Sequence, residues 1–258
     1  MDKVTAMNIL GIIPARGGSK GLKDKNILKI HGEPLVAYTV EAALKAFSLN
    51  RVVVSTDSKK ISDVVKRLFE IEVIKRPKEI ARDDSPIEEA LLHAVEFLKE
   101  ERGYAADMVV WLQPNVPIRP QGLIDRVVKK LVNSDADSCV TCYEINQTPE
   151  IMKVINKKGR LVPLYPRVRD YRRQDFAKRF LLDGSVVAIR AKNLYETRGV
   201  RKVHVYLGKE ILPVVQKKRE YSIEIDTAEE VPLVTYYLKT TTVSHLVGVK
   251  RGLRNSRP

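Results

Sequence analysis

Short runs rich in Ile and Val alternate with longer amphipathic stretches through the first half of the chain, and this rhythm constrains the fold more than any other feature. Asn8–Pro14, Arg51–Ser55 and Met108–Gln113 have the length and composition of buried strands. Pro34–Phe47, Lys59–Phe69, Pro86–Arg102 and Gly122–Leu131 have helical character. One helix start is marked by Ser85 as N-cap, Pro86 at the first helical position and Glu88 three residues after the cap. Strands joined through helices by short connections cross over right-handedly and lie parallel. The fold class read from this pattern is α/β, a doubly wound, mostly parallel sheet.

Beyond residue 135 the rhythm changes. Asp137–Ile145, Ile151–Ile155 and Ser185–Ile189 read as strands, and Tyr221–Ile225 as a last strand leading into a helix from about Thr227 to Leu238. The length suits one domain over residues 1–240. Within it, residues 145–182 form an excursion too long for an idle loop, expected to be functional or an arm toward another subunit, and 241–258 read as a basic tail. No apolar run approaches the roughly 18 residues of a membrane span. The Ile9–Ala15 run lacks the flanks of a secretory signal, and with only two cysteines a reducing cytoplasm is expected.

The net charge of +14 is concentrated. Nine basic residues lie between Lys157 and Arg179 against Asp170 and Asp175 alone, and the tail from Lys250 adds four more without an acid. Such clustering points to an anionic partner: a nucleotide, a nucleic acid, an acidic sugar or a membrane surface.

Directly after the first strand comes Arg16-Gly17-Gly18-Ser19-Lys20-Gly21, followed by Lys23, Lys25 and Asn26. Ligands of α/β sheets bind beyond the carboxyl ends of the strands. Three glycines there let backbone N–H groups approach a phosphate, and four cations supply charge. The loop is neither a Walker A sequence nor the dinucleotide fingerprint, since Arg16 stands where the first glycine of the latter belongs. Near the other end of the chain, Glu224 and Asp226 stand two apart on the expected last strand. That spacing puts both carboxylates on one face, about 6.6 Å apart along the backbone, within reach of one Mg2+. The same residues also suit a helix start, either Asp226 with Glu229 or Thr227 with Glu230.

The segment Ile13-Pro-Ala-Arg-Gly-Gly-Ser-Lys-Gly21 with Lys25-Asn26 resembles the signature of the acylneuraminate (CMP-sialic acid synthetase) cytidylyltransferase family. The resemblance continues through Val54-Ser-Thr-Asp57, Arg76-Pro77, Leu112-Gln-Pro114, Pro117-Ile-Arg119, Arg173-Gln174, Asp183-Gly184 and Ile225-Asp226-Thr227. It implies a Rossmann-like nucleotidyltransferase fold with an arm that swaps into a partner, hence a homodimer. It also implies a reaction in which the anomeric hydroxyl of an acidic nonulosonic sugar attacks the α-phosphate of CTP and releases pyrophosphate. Ala15, Arg16, Gly17, Gly18, Ser19, Lys20, Lys25, Asn26 and Arg76 would bind nucleotide, with Arg16, Lys25 and Asp226 in catalytic roles. Gln113, Arg173, Gln174 and Asp183 would bind the sugar, and Glu224 with Asp226 would hold Mg2+. Three positions depart from the family pattern: Glu224 for Asp, Asp183 for Asn and Val187 for Tyr. The last two concern the sugar pocket, so N-acylneuraminate and legionaminate-like acids both remain open, and GTP-using relatives leave the base open too.

Cys139 and Cys142, three apart on a strand, point to opposite faces and have no second pair to complete a zinc site. The four histidines show no ligand spacing, and Trp111 reads as core of a central strand. Two further functions each suit part of the sequence. The 157–180 segment interleaves cations with Tyr165, Tyr171, Phe176 and Phe180, as a single-strand binder would. Against nucleic acid stand Asp83-Asp84, Glu88-Glu89 and the late carboxylates. A metal-dependent glycosyltransferase would use Glu224-x-Asp226 but has no need of the lysine-rich loop.

Overall fold

A computed structural model of the chain describes residues 4, 6–147, 149–165 and 176–240. Its main sheet has seven strands: β1 (Ile9–Pro14), β2 (Arg51–Thr56), β3 (Glu72–Lys75), β4 (Met108–Trp111), β5 (Ser138–Glu144), β6 (Phe180–Arg190) and β7 (Ile211–Gln216). They lie in the order β7-β5-β6-β4-β1-β2-β3, and β6 alone runs antiparallel to its neighbours. Among the described residues there are six α-helices: α1 (Leu35–Leu44), α2 (Lys59–Leu68), α3 (Ile87–Arg102), α4 (Leu123–Val132), α5 (Ala191–Glu196) and α6 (Glu230–Thr240). This is the doubly wound, mostly parallel sheet that the alternating pattern predicts. No helix among the described residues is long and apolar enough to cross a membrane.

The strand period decides which face each residue serves. Ile9 and Ile13 of β1 pack with α1, α2 and α4, while Leu10 and Ile12 pack with α3 and α5 on the opposite face. All four are fully buried, and each contributes about 1.5–3 kcal/mol of hydrophobic stabilisation. Strand order reverses at β1, because β2 lies on one side of it and β4 on the other. That reversal opens a crevice beyond the carboxyl ends of β1 and β4, the usual ligand position in such sheets.

Several expectations need correction. Ser85 does not cap α3: the helix starts after Pro86, and the Ser85 hydroxyl accepts from the Arg82 amide (3.1 Å) and donates to the Glu79 carbonyl (3.3 Å). Tyr221–Ile225 is not a strand. Residues Arg219–Ser222 form a 3-10 turn, and the extended residues after it join the fold through one backbone bond, from the Ile225 amide to the Asn115 carbonyl (2.9 Å). The sheet edge belongs instead to β7, which the sequence reading passed over. Its Pro213 argues against a central strand and is tolerated here because an edge strand has only one pairing side. Strand β3 was likewise unforeseen. Cys139 and Cys142 are buried free thiols on β5, as expected.

The entry into β7 is held by one carboxylate. Asp137 Oδ2 accepts the backbone amides of Lys209 (2.8 Å) and Glu210 (3.1 Å), and these bonds hold its pKa below the ordinary 3.8. A carboxyl with a depressed folded pKa stabilises fully above its unfolded pKa and loses that contribution as pH falls through the folded value. Asp137→Asn should therefore lower the urea midpoint at pH 7. The gap from the parent chain should narrow below about pH 3.8, which a urea series across pH measures.

Candidate active site

The loop after β1 is held open toward the crevice from behind. The Gly17 amide donates to Asp57 Oδ1 (2.9 Å) at the head of α2, and Asn26 Nδ2 donates to the Arg16 carbonyl (2.9 Å). Asn26 is thus a buried clamp on the loop as well as part of the cleft wall. Ala15 is wholly buried, its amide bonded to the Ser55 carbonyl (2.9 Å), so it supports the loop and does not face the crevice. Gly18 lies in open space. Arg16, Ser19, Lys20 and Lys25 line a cleft of about 540 Å3, with buried Arg76 on its far wall bonded to the Ser55 carbonyl (2.8 Å). Of the expected nucleotide set, Arg16, Ser19, Lys20, Lys25, Asn26 and Arg76 line this one cavity; Ala15 lies beneath it, and Gly17, packed against Ser58, and Gly18 are not among its lining.

Three of the loop cations meet carboxylates. Arg16 pairs with Asp83, Lys20 pairs with the other oxygen of Asp83 (2.7 Å), and Lys25 Nζ donates to Asp226 Oδ1 (2.8 Å). The two cations hold the Asp83 pKa below the ordinary carboxylate value. Asp83 was not among the residues the sequence singled out for the site; its only signal was an acidic pair just ahead of a helix.

Gly21 brings the two ends of the chain together. A side chain there would sit 2.3 Å from the Asp226 carbonyl oxygen, so only glycine allows the approach. The chain leaves the turn extended at Ile223, and Ile223 and Ile225 turn into an apolar cluster with α6. Glu224 and Asp226 face the other way, as their two-residue spacing predicts, although no strand carries them. Asn115, in the loop after β4, donates to Asp226 Oδ1 (3.0 Å) and also hydrogen-bonds Glu224. Burial pushes the Glu224 pKa up to about 7, with the charges of Asp226 and Asp183 adding to the rise. The capping alternative is realised alongside. Glu230 accepts from the Thr227 amide (2.6 Å) and hydroxyl (2.9 Å), leaving Asp226 free for Lys25.

A second cavity, of about 380 Å3, adjoins the first. Trp111 and Gln113 line both; Glu224 lines the smaller and Asp226 the larger. Trp111 is therefore not simply core, as the sequence suggested, but sits where the cavities meet. Gln113 is fixed there by its backbone. Its carbonyl accepts from Arg119 Nη2 (2.6 Å), and its amide donates to the Gly184 carbonyl (3.3 Å). Gly184, at φ 61°, leaves the room that the Gln113 amide group fills: a Cβ would lie 2.2 Å from Gln113 Cδ. Buried Arg119 also donates to Thr39 Oγ1 (2.8 Å) and the Ser185 carbonyl (2.8 Å), positioning the loop without touching a cavity.

Asp183 departs from expectation. It is fully buried, and its oxygens accept from Thr141 Oγ1 (2.5 Å), the Ser185 amide (2.9 Å), Gln216 Nε2 (2.5 Å) and Ser222 Oγ (2.9 Å). A carboxylate so enclosed does not face a sugar; it ties the turn ahead of Glu224 to β5, β6 and β7. The sequence could not show this, because three of its four partners, Thr141, Gln216 and Ser222, lie more than 30 positions away along the chain. Arg173 and Gln174 lie outside the described residues, as does the basic tail.

Comparison with known proteins places this geometry. CMP-N,N′-diacetyllegionaminic acid synthase of Legionella pneumophila is 30% identical over 223 residues, covering 86% of this chain and 92% of that protein. N-acylneuraminate cytidylyltransferase of Streptococcus agalactiae serotype III is 25% identical over 226 residues, covering 87% of this chain; the matched region is about half of that protein (52%). Among solved structures, a CMP:2-keto-3-deoxy-manno-octonic acid synthetase complexed with CTP superposes with a TM-score of 0.68 at 18% identity. That match covers 90% of this chain and 98% of the other, and shows likeness of fold. The cytidylyltransferase family profile matches residues 10–209, so with the phosphate-type loop, the facing carboxylates and the two joined cavities in view, the chain belongs to the cytidylyltransferase family.

Proposed function

We propose that this protein transfers CMP from CTP to the anomeric hydroxyl of an acidic nonulosonic sugar, releasing pyrophosphate. The observation that carries this reading is the junction at Trp111 and Gln113: a cation-lined cleft meets a second cavity there, with Asp226 in one and Glu224 in the other. Arg16, Lys20 and Lys25 would take the triphosphate oxygens, with Lys25 opposing the charge that builds on the α-phosphate during attack. Gln113, held by Arg119 and Gly184, would orient the sugar's reacting hydroxyl toward that phosphate.

Glu224 and Asp226 suit Mg2+, which takes one or two carboxylates and completes its shell with phosphates and water. The surplus of negative charge around half-buried Glu224 is what such a cation relieves. Bound there, Mg2+ would supply charge neutralisation at the phosphates. We also infer a homodimer acting in the cytoplasm. The hairpin of Lys153–Ile155 and Leu161–Pro163 forms its own two-stranded sheet, and Ile155 (72% exposed) and Leu161 (70%) offer apolar surface to a partner. Two buried free thiols suit a reducing compartment.

Pyrophosphate release, measured with Mg2+ while crossing CTP, GTP, UTP and ATP against nonulosonic acids, tests the reaction. Release should require CTP, one such acid and Mg2+, and Asp226→Asn and Lys25→Ala should each lower kcat by about 100- to 1000-fold. Folded protein that releases none with any pair would refute the reading. Gly21→Ala should displace the Asp226 segment and cost about 100-fold in kcat/KM, whereas Gly18→Ala should stay within about twofold; equal effects would contradict the packing described. Asp83 competes with the nucleotide for Arg16 and Lys20, so Asp83→Asn should lower the KM for CTP roughly two- to fivefold. A raised KM would show that Asp83 assists binding instead.

A further inference from the structure

Among the described residues five cations line the larger cleft, Arg16, Lys20, Lys25, Arg76 and Arg82, and two carboxylates stand among them, Asp83 and Asp226. The carboxylates belong to different parts of the site. Asp226 holds Lys25 from within the acidic segment that suits Mg2+. Asp83 comes from outside that segment, on the turn between Lys78–Ile80 and α3, and reaches across to the loop after β1. One of its oxygens goes to Arg16 and the other to Lys20 Nζ (2.7 Å), as two oxygens of a phosphate would. The turn is built so that this side chain can leave. Ser85 closes it, with its hydroxyl tying Glu79 to Arg82 and its amide donating to the Arg82 carbonyl (3.3 Å). None of those bonds uses Asp83, which among the described residues is held by its two ion pairs alone.

The Asp83 side chain is 36% exposed, so water screens both pairs and a triphosphate of higher charge displaces it. Arg82, the residue before it, lines the cleft and pairs with no carboxylate among the described residues, so the cleft keeps all five cations when Asp83 leaves. The same cleft has to let a highly charged product go. Pyrophosphate faces these five cations too, and a site that holds a triphosphate well holds that product well. A tethered carboxylate meets Arg16 and Lys20 at an effective concentration of about millimolar, which pyrophosphate loses once it diffuses away. From this we propose that Asp83 is a positioning residue for product release: it gives up Arg16 and Lys20 to the triphosphate and takes them back as pyrophosphate leaves. The inference rests on the proposed CMP transfer and adds the step that clears the cleft.

Titration calorimetry of the full chain with magnesium pyrophosphate and, separately, with CMP tests this without any turnover. Asp83→Asn should tighten pyrophosphate about two- to fivefold, the scale of an exposed ion pair removed from competition. CMP, which lacks the two terminal phosphates, should bind it as it binds the parent chain. Asp83→Glu keeps a carboxylate and should stay near the parent chain for both ligands. Asp84→Asn removes the same charge one residue on, where no ion pair is made among the described residues. It should leave both affinities unchanged at physiological ionic strength. In turnover, added pyrophosphate should inhibit Asp83→Asn at about two- to fivefold lower concentration than the parent. Pyrophosphate binding that is unchanged or weaker in Asp83→Asn would overturn the proposal. So would an equal gain for CMP, an equal gain in Asp84→Asn or Asp83→Glu, or no pyrophosphate binding by any of these proteins. The titrations judge Asp83 alone; the transfer reading fails separately, if folded protein releases no pyrophosphate from any nucleotide and acid.

Discussion

The ion pair between Lys25 and Asp226 joins residues 201 positions apart, and the site depends on it. Its thermodynamic value is small, because Asp226 is 60% exposed and water screens the pair. Its value is positional. Lys25 follows a loop that Asn26 and Asp57 hold in place, while Asp226 follows a segment pinned by buried Ile225 and by Asn115. Gly21 lets those two backbones close to a distance no other residue permits. Neither half makes a site alone: the loop is a patch of like charges, and the acidic segment is a surplus of negative charge.

The rest of the local architecture balances those charges. Asp83 occupies Arg16 and Lys20, and Asp226 occupies Lys25, so the cations are ordered before any ligand arrives. On the acidic side, Glu224 is half-buried next to Asp226, and Asp183 lies deeper. Asp183 is tolerated because hydroxyl, amide and backbone donors saturate it. Through Ser222 it sets the turn from which Glu224 and Asp226 emerge. The polar core beneath the site thus works as scaffolding, and the groups that face the cavities stand one layer above it.

Most of the strands and helices in the first half were legible because burial on both faces demands continuous apolar runs, and amphipathic helices announce their period; the short edge strand β3 was not. The phosphate-type loop was legible because three glycines and four cations at a strand end have few other uses. Glu224 and Asp226 were read correctly as facing one way but for an inexact reason. Extended backbone alternates whether or not a sheet carries it, and here Ile223 and Ile225 enforce the alternation by burial. What the sequence hid was set by tertiary neighbours. Asp183 looked like a site residue because nothing local shows that Thr141, Gln216 and Ser222 close around it. Trp111 looked like core because strand periodicity does not show where the sheet ends and a cavity begins. Asp83 belongs to the site only because its loop folds back onto the one after β1.

A double-mutant cycle on turnover addresses the central claim, that Lys25 and Asp226 act as one unit across the fold. If they do, the paired variant Lys25→Ala/Asp226→Asn will be about as slow as the worse single variant, because either change already dismantles the unit. If the two losses multiply instead, the residues act independently, and the account of a site assembled by their contact is wrong.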